Sequence, residues 1–117
     1  MIKSKYSKQN IAVRLVHAGG SQHVFVSQIE VYPHNDLDTH LYADSFGWGN
    51  YGFSSMQTSL SIALEVCSNK LCARLLSDHL YYDIIVNLDP DKNHLIYLNK
   101  NLIKSTVNKL EKAYGLH

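Results

Sequence analysis

The chain has 117 residues, of which 45% are hydrophobic and 18% charged; that is enough for one domain with a single core, and far from the composition of a disordered chain. A formal net charge of +1 excludes the strongly basic balance of a dedicated nucleic-acid binder and the acidic balance of a nucleic-acid mimic, although a whole-chain average leaves local patches open. No run approaches the roughly 18 apolar residues needed to cross a bilayer, and the lysines of MIKSKYSKQN precede no continuous apolar stretch, so a cytoplasmic protein with no membrane partner is expected.

Residues 1–9 are polar and lysine-containing, and are expected to be a flexible start to a single domain spanning 1–117. Structure begins where Ile11, Val13 and Leu15 alternate with Ala12, Arg14 and Val16. After Ala18, Gly19, Gly20 and Ser21, the run from His23 to Tyr32 is rich in β-branched and aromatic residues, and the two runs predict a β-hairpin. In the second strand Val24, Val26 and Tyr32 share a face with Gln28 and Glu30, while Phe25, Ile29 and Val31 share the other with Ser27. Either both faces are partly covered or a bulge near Ser27 changes the phase. Pro33 removes a ladder donor, Asn35, Asp36 and Asp38 mark a loop, and a short strand is expected from His40 to Ala43. His34, Asp36, Asp38 and His40 alternate and would project one way if extended, as metal ligands do. No cysteine or H-E-x-x-H spacing supports them, and loops are rich in these residues, so the expectation is a solvated loop and no metal.

Next come Phe46, Gly47, Trp48, Gly49, Tyr51, Gly52 and Phe53, rings alternating with glycines ahead of the most apolar helix candidate. Ser54 followed by Gln57 forms an S-x-x-Q capping box, which predicts a helix over 54–67 starting near Ser55. Met56, Leu60, Ala63, Leu64 and Cys67 recur at helical spacing, with Leu64 central and Ile62 and Val66 widening the stripe. The glycines let the chain bend the rings back over this helix, so Trp48 is expected to be buried with its indole donor on a nearby backbone carbonyl. Function would then fall to Tyr51 and the later tyrosines.

Phe46, Gly47, Trp48, Gly49, Asn50, Tyr51 and Gly52, with Gln57, Leu60, Ile62, Ala63 and Leu64 after them, resemble the core signature of a family of small bacterial and phage proteins, the domain of unknown function DUF6166. Its pattern runs roughly F-x-W-G-Y-G-G-S-G-P and then Q-L-A-L-A. Here Asn50 stands where an aromatic is usual, and Tyr51, Gly52, Phe53 and Ser54 replace the G-S-G-P turn. Ala73, Leu76, Tyr82, Asp83, Ile84 and Ile85 are loosely similar to the family's A-L-x-L-Y-Q-D-F-x-x-x-V-I segment. The resemblance covers about the last two thirds of the chain. It implies a shared fold and a structural role for Phe46, Gly47, Trp48, Gly49, Gly52 and Gln57, and it implies no activity, because none is established for the family.

Cys67 and Cys72 fall on apolar stripes and read as small buried hydrophobes more readily than as a metal half-site or disulfide. Ser68 or Asn69 can cap a second helix over 69–88 that buries Leu71, Cys72, Leu75, Leu76, Leu80, Ile84 and Ile85 and packs antiparallel to the first. Its His79, Tyr81, Tyr82 and Asp83 offer a contact surface or acid-base chemistry, set against ordinary boundary packing of amphipathic rings. Asp89 to Asn93 form a turn, and His94 to Leu98 predict a strand pairing with the hairpin. A last helix over 101–114 is capped by Asn99 or Asn101, buries Leu102, Ile103, Val107 and Leu110, and ends at Gly115. Lys100, Lys104, Lys109 and Lys112 occupy its outer side with Glu111, as a solvated face or one that contacts phosphates.

These elements predict an α+β domain in which an N-terminal β-hairpin, a small antiparallel sheet, packs on a layer of three helices. There is no G-x-S-x-G elbow and no phosphate-cradling G-x-x-x-x-G-K, and serines at a helix start are explained by capping, so no catalytic residue and no cofactor is assigned. Three functions are consistent with the sequence. The first is a non-enzymatic interaction protein, encoded by a phage or plasmid, that docks on a host protein through tyrosines such as Tyr51, Tyr81 and Tyr82 beside His79. The second is a nucleic-acid-binding accessory protein using Lys100, Lys104, Lys109 and Lys112 with Lys3, Lys5 and Lys8. The third is a small enzyme using His79, Tyr82 and Asp83, which needs a pocket around them.

Overall fold

Gly19 and Gly20, at φ 60° and 79°, close a two-residue turn whose left-handed backbone matches the twist of a hairpin. On either side of it run β1, Asn10–Ala18, and β2, Ser21–Val26. This computed structural model describes residues 10–34, 41–67, 70–113 and 115. The second predicted strand does not continue through Ser27. Ser27 and Gln28 adopt φ 51° and 71° and reverse the chain into β3, Ile29–Val31, which pairs antiparallel with β2 through Val24 and Val31. A second tight turn therefore takes the place of both alternatives, two partly covered faces or a bulge, and it explains the phase conflict between Val24 and Val31: each faces the core from its own strand. The Ser27 amide donates to Ala12 O at 2.9 Å, which ties the turn to β1. No strand forms over Leu41–Ala43, and His40 lies outside the described residues.

The helical layer begins with α1, Phe53–Val66. It starts earlier than expected, because Gly52 and not Ser54 is the N-cap residue, and no side chain caps it. Ser54 and Gln57 therefore sit inside the helix, where a capping box cannot form. The buried face is also rotated from the expected stripe. Ser55, Gln57, Thr58, Ser59 and Ser61 are buried beside Leu60, Ile62 and Ala63, while Met56, Leu64 and Cys67 are only half-buried. Small hydroxyl residues permit this, since each can satisfy its own group on the preceding turn. Ser59 Oγ donates to Ser55 O at 3.0 Å, and Thr58 Oγ1 lies 3.0 Å from Ser54 O.

Helix α2, Lys70–Asp83, packs on α1 and ends five residues before the predicted Leu88; a 3-10 turn, Ile85–Asn87, follows. Its predicted caps Ser68 and Asn69 lie outside the described residues. Ala73, Leu75, Leu76, Leu80 and Tyr81 are buried, whereas Leu71, expected inside, is exposed. Strand β4, His94–Asn99, adds to the free edge of β1 and gives the order β3-β2-β1-β4. Helix α3, Lys100–Ala113, leaves β4 directly; the Asn99 side chain accepts from the Asn101 amide at 2.9 Å, and Gly115, at φ 69°, follows its end. Of its expected stripe, Ile103 packs against the core, and the side chains of Leu102, Val107 and Leu110 lie outside the described residues.

The result is the expected α+β arrangement: three N-terminal strands, then α1 and α2, then β4, which completes a four-stranded antiparallel sheet, and finally α3. Ile11, Val13, Leu15, Val24, Val26, Val31 and Leu98 point from one sheet face into a core shared with Phe46, Trp48, Ile62, Ala63, Ala73, Leu76, Leu80 and Ile85. No helix of the described residues is long and apolar enough to cross a membrane.

Candidate functional site

Residues 32–34 and 41–52, between β3 and α1, form neither helix nor strand, and backbone of that kind needs partners from side chains. Gln57, fully buried, supplies three of them and also bonds Ser61 on its own helix. Its Oε1 accepts from the Tyr42 amide at 2.9 Å and the Ala43 amide at 3.5 Å, and its Nε2 donates to His34 O at 2.8 Å and Ser61 Oγ at 2.9 Å. Thr58 Oγ1 holds Gly47 from both sides, accepting from its amide at 3.0 Å and donating to its carbonyl at 2.7 Å. The buried polar face of α1 is thus the dock for the loop in front of it.

Two of the loop's rings turn inward and two turn outward. Phe46 is buried, and Trp48, 2% exposed, goes to the end of the sheet and not over α1 as expected, between His17 at 5.0 Å and His94 at 6.3 Å. Its indole N–H donates to Lys92 O at 3.1 Å. His17 pins the same turn from the other side, with its amide on Asn93 Oδ1 at 2.7 Å and its Nε2 on Pro90 O at 2.6 Å. Gly49 passes close beneath this turn: a Cβ there would lie 2.4 Å from Leu88 O. Asn50 accepts from the Gly52 amide at 2.7 Å and from Ser55 Oγ at 3.3 Å.

Tyr51, 72% exposed, and Phe53 point to solvent. Tyr81 is buried beneath Tyr51, and its hydroxyl donates to Tyr51 O at 2.7 Å. Burial and the neighbouring Tyr82 and Tyr51 hydroxyls hold the Tyr81 phenol above its ordinary pKa. Tyr51 and Tyr82 each stand edge-on to Tyr81, at 6.2 Å and 4.8 Å between centroids, and Tyr82 is 61% exposed. The structure therefore brings the three expected tyrosines together but removes Tyr81 from the contact surface. His79 Nδ1 lies 2.7 Å from Asp83 Oδ2 on the next turn of α2, and both side chains are well solvated.

Lys100, Lys104, Lys109 and Lys112 are exposed along α3. Asn101, Ser105 and Asn108 share an open depression with Lys104, Lys109 and Lys112. Lys3, Lys5 and Lys8 lie outside the described residues, as do Asp36, Asp38 and His40. His34 instead approaches Glu65, Nε2 to Oε2 at 3.3 Å without hydrogen-bond geometry. Among the described residues no group of three His, Cys, Asp or Glu side chains could hold a metal ion. Cys67 and Cys72 are half-buried thiols, with Cys72 Sγ 3.5 Å from Glu111 Oε2, and burial, then Cys72 beside it, pushes the Cys67 pKa up to about 11.

Sequence reasoning missed the outer face of the sheet. Strand alternation places Ala12, Arg14 and Val16 of β1, His23 and Phe25 of β2, Glu30 of β3, and Leu95 and Tyr97 of β4 opposite the core-facing residues. The signal was the second, alternate set of positions in each strand, which becomes a surface only once the register is known.

No family model, no curated protein and no solved structure matches the chain.

Proposed function

We propose that this chain is a small non-enzymatic interaction protein, encoded on a phage or plasmid and acting in the cytoplasm, that docks on a host protein through Tyr51, Phe53 and Tyr82. One observation carries the reading: two large amphipathic rings, Tyr51 and Tyr82, stand mostly in solvent yet are braced edge-on by the buried Tyr81. A braced ring loses little conformational entropy on binding and still offers an apolar face and a polar tip, the combination enriched where partners meet. Phe53, two residues beyond Tyr51, is a further exposed ring, and the His79–Asp83 pair gives Tyr82 a polar neighbour on α2. The solvated state of that pair favours a rim contact over general-base chemistry, which works best in an enclosed site. The aromatic-glycine run that resembles DUF6166 is in large part accounted for by packing, through Phe46, Gly47, Trp48 and Gly49.

The test is affinity capture from host lysate with the parent and with a Tyr51→Ala/Tyr82→Ala variant. Both rings are exposed, so the variant keeps its melting temperature within a few degrees. Loss of a captured partner at unchanged stability supports the proposal. A partner retained in full by the variant overturns it.

A further inference from the structure

The helices cover one face of the sheet, and the other face carries rings around a cation. Arg14 on β1 stands opposite Phe25 of β2 on one side and Leu95 of β4 on the other, and Tyr97 is diagonal to it. Tyr97 is 47% exposed, Leu95 and Arg14 are exposed, and Phe25 is partly so. Tyr32, just beyond β3, adds a further exposed ring, with its hydroxyl on Glu30 Oε1 at 3.4 Å. Phe25 and Tyr97 are two strands and two residues apart in register, so their Cα atoms are about 12 Å apart with Arg14 between them. Among the described residues of these strands, Glu30 is the acid on this face, and it is already bonded by His23 Nδ1 at 2.8 Å.

We propose that this outer sheet face binds single-stranded nucleic acid, with bases stacked on Phe25 and Tyr97 and the Arg14 guanidinium on the backbone or base between them. Unpaired bases present the flat π-faces that such rings accept, whereas a duplex hides them in its own stack. A spacing of about 12 Å fits two bases separated by an intervening nucleotide. The charge pattern disfavours a second copy of the chain on this face. A face-to-face pair would bury an arginine from each copy, and the nearest acid on each is already held by His23. A near-neutral chain also fits a site that relies on stacking more than on many phosphate contacts. This surface lies apart from the tyrosine patch, and the inference does not rest on the docking proposal.

The test is fluorescence anisotropy at low salt with labelled oligo-U and oligo-dT strands of about a dozen nucleotides and a duplex of the same length. Binding of either single strand in preference to the duplex is expected, with oligo-U against oligo-dT showing whether ribose is favoured. Phe25→Ala and Tyr97→Ala should each weaken it about tenfold or more. Arg14→Glu should weaken it similarly while melting like the parent, because Arg14 is exposed, so a loss there is not misfolding. Lys104→Glu/Lys112→Glu should leave it unchanged. Three results would overturn the proposal. One is that neither strand binds; another is that binding survives Arg14→Glu and Tyr97→Ala but is lost with the lysine pair. The third is a sedimenting dimer that Tyr97→Ala converts to monomer, which makes the occupant a second copy.

Discussion

The indole N–H of Trp48 donates to the carbonyl of Lys92, 3.1 Å away and 44 residues later in the chain. That bond joins the aromatic loop to the turn leading into β4, and the ring itself fills the end of the core between His17 and His94. Trp48→Ala is therefore expected to cost about 3 to 5 kcal/mol, measured by urea unfolding. Trp48→Phe keeps most of the apolar volume, loses the donor and should fall in between. A Trp48→Ala protein that unfolded at the parental urea midpoint would place the ring outside the core.

Gln57 separates two roles that the sequence alone confuses. As a capping-box residue it would tolerate glutamate, which serves that box equally well. As a clamp it needs its amide N–H groups, one on His34 O and one on Ser61 Oγ. Gln57→Glu should then cost on the order of 2 kcal/mol and raise amide exchange around Tyr42. Unchanged stability would restore the capping role.

Gly49 combines a left-handed backbone, φ 84°, with a close approach to Leu88 O and Pro90. Gly49→Ala meets both obstacles and should destabilise by at least about 2 kcal/mol. Gly20→Ala, which is left-handed too but has open space around it, should cost clearly less. Equal thermal shifts for the two variants would show that the approach at Gly49 is not tight.

His23 offers a pH test. Its hydrogen bond to Glu30 raises the imidazole pKa above the usual 6.5, against the opposing effect of burial. A raised folded-state value contributes stability that is fully present below pH 6.5 and is lost as pH climbs through that raised value, so the β2–β3 pairing should loosen as pH rises beyond 6.5 and through it. NMR titration should place His23 above an unperturbed histidine in the parent, and Glu30→Gln should bring it down. A His23 pKa that ignores the Glu30→Gln change would rule out the pairing.

The first hairpin, the three helices, the strand from His94 and the α+β class were legible in the sequence because alternation and helical spacing are local signals that survive folding, whereas β3 was not seen as a strand of its own and the strand expected from His40 does not form over Leu41–Ala43. The burial of Trp48 followed from a large ring flanked by glycines. The face of α1 was misjudged at Leu64 because hydrophobicity was taken as the sign of burial, while serine and threonine hydroxyls can satisfy themselves on their own helix. The turn at Ser27 and Gln28 was hidden because neither residue announces a left-handed backbone. It left only a trace, the conflicting phases of Val24 and Val31.

What the sequence determined by itself, then, was which segments fold and which rings are near the helix start, since those depend on neighbours within a few residues. Tertiary structure decided which tyrosines remain on the surface, because Tyr81 is buried by Tyr51, thirty positions earlier. It also decided that Phe25, Arg14 and Tyr97 share one face. Strand register is set by pairing between distant segments, and a slip of one residue would have turned that face into the core.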